Sequence, residues 1–222
     1  MPLFFPSGCG LLFDMDGVLI DSTPAHTRAW EIYLQRLGRP PNGIGRLMHG
    51  KRNDQIVRAV FGAELDDESV FRHGAAKERV YRELMAPVLK QHVVAGAGAF
   101  LEVGRGAACA VASNAEPANI DFVLDGTGFR QYFAAVVDGH QVTHPKPHPE
   151  IYLLAAERLG RHPGRCIVFE DSLAGVRAAR AAGMKVAGVE TSLRPVPETD
   201  LSIRDFEDPR LPAWLEQEFS RW

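Results

Sequence analysis

The sequence predicts an α/β fold: a doubly wound parallel-sheet core carrying an inserted all-helical unit. Three observations predict it. Short apolar runs without polar alternation recur along the chain, helical patterns ending on glycine lie between several of them, and one long early stretch contains no such run. A run of apolar residues with no polar alternation has no solvent face, so the sheet it enters must be covered on both sides. Strand and helix in alternation then give a parallel sheet wound in both directions, with its ligands at the carboxyl ends of the strands.

Taken in order, Gly10 to Phe13 reads as the first buried strand. From Asp21 to about Pro87 no strand run follows. Thr23-Pro24 is a helix start, Trp30, Tyr33, Leu34 and Leu37 share one face, and Gly38 is the stop. The Pro- and Gly-rich stretch Gly38 to Gly45 reads as loop, and Asn53 to Phe61 and Glu68 to Met85 read as helices. Strands resume at Ala107 to Ala112, Ala134 to Val137, Cys166 to Phe169 and Val186 to Val189, with Leu201 to Ile203 as a further short one. Between them, helices over Ile151 to Leu159 and Leu173 to Ala182 stop at Gly160 and Gly183. The expected division is a core of residues 1–20 and 88–222 and a helical cap of 21–87, a candidate lid over the strand ends.

Composition narrows the class. A chain of 222 residues accommodates a core plus an insert, and 45% hydrophobic with 24% charged residues argues for a folded rather than disordered protein. A net charge of −3 gives no basic excess to grip a phosphate backbone, so no nucleic-acid partner is expected. No apolar stretch approaches the ~20 residues of a membrane span, and residues 1–13 lack a basic leader, so the expected location is cytoplasmic. Cys9, Cys109 and Cys166 show neither a CxxC pair nor a disulfide pattern and are expected as small buried hydrophobes. Nothing in the sequence indicates an obligatory protein partner.

The chemistry gathers at predicted strand ends. The first strand runs into Asp14-Met15-Asp16-Gly17, two carboxylates that point the same way if the strand continues, followed by a glycine that permits a sharp turn. The second ends in Ser113-Asn114, a hydroxyl and an amide, and the fourth in Glu170-Asp171-Ser172. Lys146 lies between prolines in His144-Pro145-Lys146-Pro147-His148-Pro149, a restricted backbone just before a helix. Singly these residues also suit caps, turns and solvated charges. Together they place carboxylates, a cation and a hydroxyl at one sheet edge.

The order DxDGxxxDS, a serine at a strand end, KPxPxxY and EDS resembles the haloacid dehalogenase superfamily, in its branch of small-molecule phosphatases and β-phosphoglucomutase with a helical cap. The resemblance runs from Asp14 to Gly183. It implies Asp14 as nucleophile and Asp16 as general acid-base. Ser113, Lys146 and neighbouring Asn114 would bind the phosphoryl group, and Asp14, Asp16, Glu170 and Asp171 would form the metal site. A phosphate approaching Asp14 meets like charge, which calls for a divalent cation beside Lys146, and oxygen ligands point to Mg²⁺. Dehalogenase-like branches lack a carboxylate at the Asp16 position, so Asp16 implies phosphate esters, and the expected partner is a small phosphorylated metabolite. In the cap, His26 resembles a histidine at the core–cap junction of the mutase, beside the alternative of a helix-surface histidine. Lys51 and Arg52, in the loop His49-Gly50-Lys51-Arg52-Asn53, are candidate substrate cations, but their spacing is shifted from the mutase's phosphate-gripping arginine. Lys77 resembles a substrate-facing lysine, or else a solvated helix charge. His140, His144 and His148 show no recognised metal spacing and read as loop surface. The expected reaction is Mg²⁺-dependent hydrolysis of sugar or polyol phosphates. The alternatives are a phosphosugar mutase and a non-catalytic phosphate binder.

Overall fold

The computed structural model describes residues 5–6, 8–48, 51–105 and 107–222. The chain divides into two compact units, one of residues 1–21 and 92–222, the other of residues 22–91. The sequence reading set these boundaries at 20/21 and 87/88, and the second falls four residues later, inside a short 3₁₀ turn at Leu89–His92.

The larger unit is built on a six-stranded, wholly parallel sheet in the order β3-β2-β1-β4-β5-β6. Its strands are β1 Gly10–Phe13, β2 Ala108–Ala112, β3 Ala135–Val137, β4 Cys166–Glu170, β5 Lys185–Val189 and β6 Leu201–Ile203. The chain winds outward from β1 through β2 to β3, then returns to the other side of β1 for β4 to β6. The strand order therefore reverses between β1 and β4, where doubly wound folds open a ligand crevice. In-register pairing of Phe13 with both Val111 and Phe169 levels the ends of three strands.

Period-two alternation sorts the side chains. Leu12 and Val168 enter one core with Ile151, Tyr152 and Ala155 of the helix Glu150–Arg158 and Val176 and Ala179 of the helix Leu173–Ala181. Phe13 and Phe169 face the other way and stack at 4.8 Å, with Phe100 and Phe206 packed around them. Cys9, Cys109 and Cys166 are buried free thiols, and burial pushes Cys109 and Cys166 up to about 12.

The smaller unit is helical: α1 Thr23–Arg36, α2 Ile44–Met48, α3 Asn53–Phe61 and α4 Asp67–Met85. Trp30, Tyr33, Leu34, Ile44, Ile56, Val57 and Val70 form its core. Leu37, expected on the buried face, lies past the helix end and is exposed. The expected loop Gly38 to Gly45 gives way to α2 at Ile44, whose buried side chain anchors that turn.

Candidate active site

The strand ends beside the switch point carry the acids. The Asp14 N–H donates to the Phe169 carbonyl at 3.0 Å, extending the β1–β4 pairing one residue past the strand. Glu170 closes β4 and, following Phe169, returns to the face of Val168. There it meets Tyr152, whose phenol donates to Glu170 Oε1 at 2.8 Å. Lys146 Nζ donates to Asp14 Oδ1 at 2.8 Å and to Glu170 Oε1 at 2.6 Å, and stands 4.7 Å from the centre of the Tyr152 ring. The other oxygen of Glu170, Oε2, accepts from the Asp171 N–H, the Ser172 N–H and the Ser172 hydroxyl, each at 3.0 Å. Glu170 is thus held by five donors.

Two glycines make room for this arrangement. A Cβ on Gly175 would lie 1.7 Å from Glu170 Oε1, so only glycine fits where that helix passes under the carboxylate. Gly17 has φ +78° and its Cβ would lie 2.0 Å from Asp171 Oδ2, so only glycine lets the turn after β1 close over Asp171. Thr191 donates to the Gly17 carbonyl at 2.6 Å, and the Ser192 hydroxyl donates to Asp171 Oδ2.

Charge is not balanced here. Carboxylate oxygens of Asp14, Glu170 and Asp171, all buried, lie within 4.8 Å of one another, against the single ammonium of Lys146. Burial drives Asp14 well above the usual carboxylate range. Lys146 opposes this, while Glu170, Asp171 and Asp16 add to it. Asp171 is pushed up to about 7, by burial and then by the charge of Glu170. Burial would raise Glu170 as well, but Lys146 and its hydrogen bonds hold it below its ordinary value. Burial would lower the Lys146 amine, and Asp14 and Glu170 reverse that. A dication would supply the missing positive charge, and a hard, all-oxygen donor set suits Mg²⁺. The residues fit the ion.

Comparison with known proteins decides the family. Residues 10–183 match the model of the haloacid dehalogenase-like hydrolases. The chain is 33% identical over 183 residues to the fructose-1-phosphate phosphatase YqaB of Escherichia coli, covering 81% of this chain and 95% of that protein. It is also 33% identical over 205 residues to a β-phosphoglucomutase of Mycobacterium bovis, covering 79% and 78%. The crystal structure of β-phosphoglucomutase from Clostridium difficile superposes with a TM-score of 0.83 at 21% identity, over 96% and 97% of the two chains, and shows the shared fold. The chain belongs to the haloacid dehalogenase-like hydrolases.

Within this hydrolase the structure gathers Asp14, Lys146, Glu170 and Asp171, and Asp16 follows in a turn rather than in a continuing strand. The strand stops at Phe13 and the chain turns at once, with Gly17 N–H donating to the Ile20 carbonyl at 2.7 Å. Residues 14 and 16 share a face only along a continuing strand, and β1 does not continue. Among the described residues the acidic cluster is Asp14, Glu170 and Asp171, while the charge of Asp16 still acts on Asp14 and Asp171. Ser113 leaves the end of β2, its N–H on the Val137 carbonyl and its buried hydroxyl oxygen accepting from the Ala115 N–H at 3.1 Å. Beside it the buried Asn114 Oδ1 has no hydrogen-bond partner among the described residues.

In the helical unit, His26 and Lys77 come together. His26 stacks on Tyr81 at 3.8 Å, and Lys77 Nζ lies 2.7 Å from His26 Nδ1 and 2.9 Å from Glu78 Oε1. Lys77 is buried, which removes the solvated-charge alternative, while His26 is partly exposed, with its side chain 15% accessible. Arg52 is held by Asp54, through Nε at 3.0 Å and a second nitrogen at 3.3 Å. Lys51 is exposed, and His49 and Gly50 lie outside the described residues. Sequence reasoning gave no role to Tyr152, Ser192, Glu78 or Gly175. Tyr152 alone had a signal, as the last letter of KPxPxxY.

Proposed function

We propose that this hydrolase cleaves small phosphate monoesters, sugar or polyol phosphates, with Asp14 as nucleophile. One observation carries the reading: three buried carboxylates held around one lysine at the switch point of the sheet. Such a site is short of positive charge until a dication arrives, and the more so when it receives an anionic phosphoryl group. Asp14, Glu170 and Asp171 would hold Mg²⁺, which supplies neutralising charge for the phosphoryl oxygens.

In the first step an Asp14 oxygen attacks phosphorus, the phosphorus–oxygen ester bond breaks, and Asp16 gives its proton to the leaving alkoxide. In the second, Asp16 takes a proton from water as the water oxygen attacks phospho-Asp14. The Asp14 carboxylate leaves, phosphate is released, and both acids return to their starting states. Lys146 keeps Asp14 oriented and offsets charge on the transferring group. The Ser113 hydroxyl, which among the described residues accepts only from a backbone N–H, keeps its own proton to donate to a phosphoryl oxygen.

Relatives named for a sugar phosphatase and a phosphosugar mutase support phosphorylated carbohydrates as the substrate class. The pairing of Arg52 with Asp54 favours hydrolysis over the mutase. A mutase must hold a second phosphate, and Arg52 already spends its fork on a carboxylate. A panel of phosphorylated sugars and polyols tests the reading. Mg²⁺-dependent release of inorganic phosphate from several of them is expected, with little interconversion of glucose 1- and 6-phosphates. Efficient interconversion with negligible phosphate release would replace the hydrolase by the mutase, and absence of turnover would leave a phosphate binder.

A further inference from the structure

The loop that presents Lys146 carries a second cluster of metal-ligand type on its outer side. Ligand atoms of His144, His148 and Glu150 lie within 4.8 Å of one another. His144 Nδ1 is 2.9 Å and His148 Nδ1 3.8 Å from the same oxygen, Glu150 Oε2, and the two rings are 4.6 Å apart. A tetrahedral metal at about 2.0–2.1 Å from its ligands sets donor atoms about 3.4 Å apart, so small side-chain movements bring these three into range. The carboxylate is already oriented, because the Thr143 N–H donates to Oε1 at 2.8 Å and the His144 N–H to Oε2 at 3.0 Å. Backbone donors of this kind fix the acids of metal sites. His148 Nδ1 accepts only a long bond, 3.3 Å, from the Glu150 N–H, which a metal ion would replace. Pro145, Pro147 and Pro149 restrict the backbone between the ligands, lowering the entropy lost on binding. The side chains are 62%, 50% and 30% exposed, open to an entering ion and its remaining waters.

We propose that His144, His148 and Glu150 form a second metal site, distinct from the acidic cluster, for a borderline transition-metal dication such as Zn²⁺. Two imidazoles and one carboxylate favour Zn²⁺, Ni²⁺ or Cu²⁺ over Mg²⁺, which prefers oxygen. The two sites therefore divide the metals by donor chemistry. Each histidine lies two residues from Lys146, so an ion held here braces the loop that carries the ammonium.

Untagged full-length protein saturated with Mg²⁺ is titrated with Zn²⁺ by calorimetry. One equivalent of Zn²⁺ is expected to bind with Mg²⁺ in place. His144→Ala and His148→Ala should each weaken it about 10-fold or more, and His140→Ala should leave it unchanged. In the wild-type protein, imidazole NMR signals of His144 and His148 should shift on Zn²⁺ addition while those of the other histidines hold, a readout that needs no variant. Failure of Zn²⁺ to bind in excess Mg²⁺ would overturn the proposal, as would undiminished binding by the double variant or shifts at other histidines instead.

Discussion

The molecule buries a lysine against acids in two places, and the two differ in how their charges add up. In the helical unit, Lys77 meets one carboxylate, Glu78, with His26 beside it and the rings of Trp30 and Tyr81 within 5.9 Å. In the sheet unit, Lys146 meets Asp14 and Glu170, with Asp171 behind them. The first group is matched in charge and packed between aromatic faces, as a structural ion pair is. The second sets three carboxylates against one ammonium, and Asp14 and Asp171 are both raised in proton affinity, by burial first and then by the neighbouring acids. Burial alone does not mark a site for chemistry. An uncompensated excess of one charge does.

The largest effect that sharpens this contrast is on turnover. Lys146→Ala should cut phosphate release by about 10² or more, the scale of one preorganised electrostatic group. A loss confined to thermal stability would make Lys146 another Lys77. The matching change, Lys77→Met, keeps the apolar stem and removes the cation facing Glu78. Breaking a buried pair in this way should cost about 3 kcal/mol, a fall of about 6 °C or more in melting temperature. Unchanged melting with lost sugar-phosphate turnover would break the comparison and make Lys77 a substrate group.

A smaller effect concerns pH. Asp171 has a folded-state value of about 7 against 3.8 as its ordinary value, so its protonated form is the one the fold favours. Its contribution to stability is complete below about pH 4 and is lost as pH rises through about 7. Metal-free protein should therefore melt lower at pH 8 than at pH 5.5, and Mg²⁺ should raise the melting temperature more at pH 8. Equal Mg²⁺ stabilisation at both pH values would show that the acids are not short of charge.

Much of this was legible in the sequence, for identifiable reasons. The strands showed because a parallel sheet covered on both faces needs unbroken apolar runs, and Cys166 to Phe169 or Val186 to Val189 have no other use. The helix Ala97–Val103 was hidden by its start after Gly96, at φ +75°, and by Gly98 within it, and Pro117–Thr127 by its buried Asn119 and a glycine near its end. The strand-end acids were legible because position along a strand fixes them. The local backbone at Asp16 was less legible, because it depends on where β1 stops, which composition does not show. The union of Lys77 with His26 was not legible, since it joins two helices 51 residues apart in sequence. Nor was the support that Tyr152 and Ser192 give to Glu170 and Asp171, which exists only once the loops are folded.

If the acidic cluster makes Asp14 the nucleophile, the covalent intermediate can be trapped. Protein turning over a sugar phosphate with Mg²⁺ is quenched in acid, and its peptides are searched for a phosphoryl group. A phosphoryl group is expected on the peptide containing Asp14, absent without Mg²⁺ and absent in Asp14→Asn. Sustained turnover by folded Asp14→Asn, or a phosphoryl group trapped on another side chain, would contradict it.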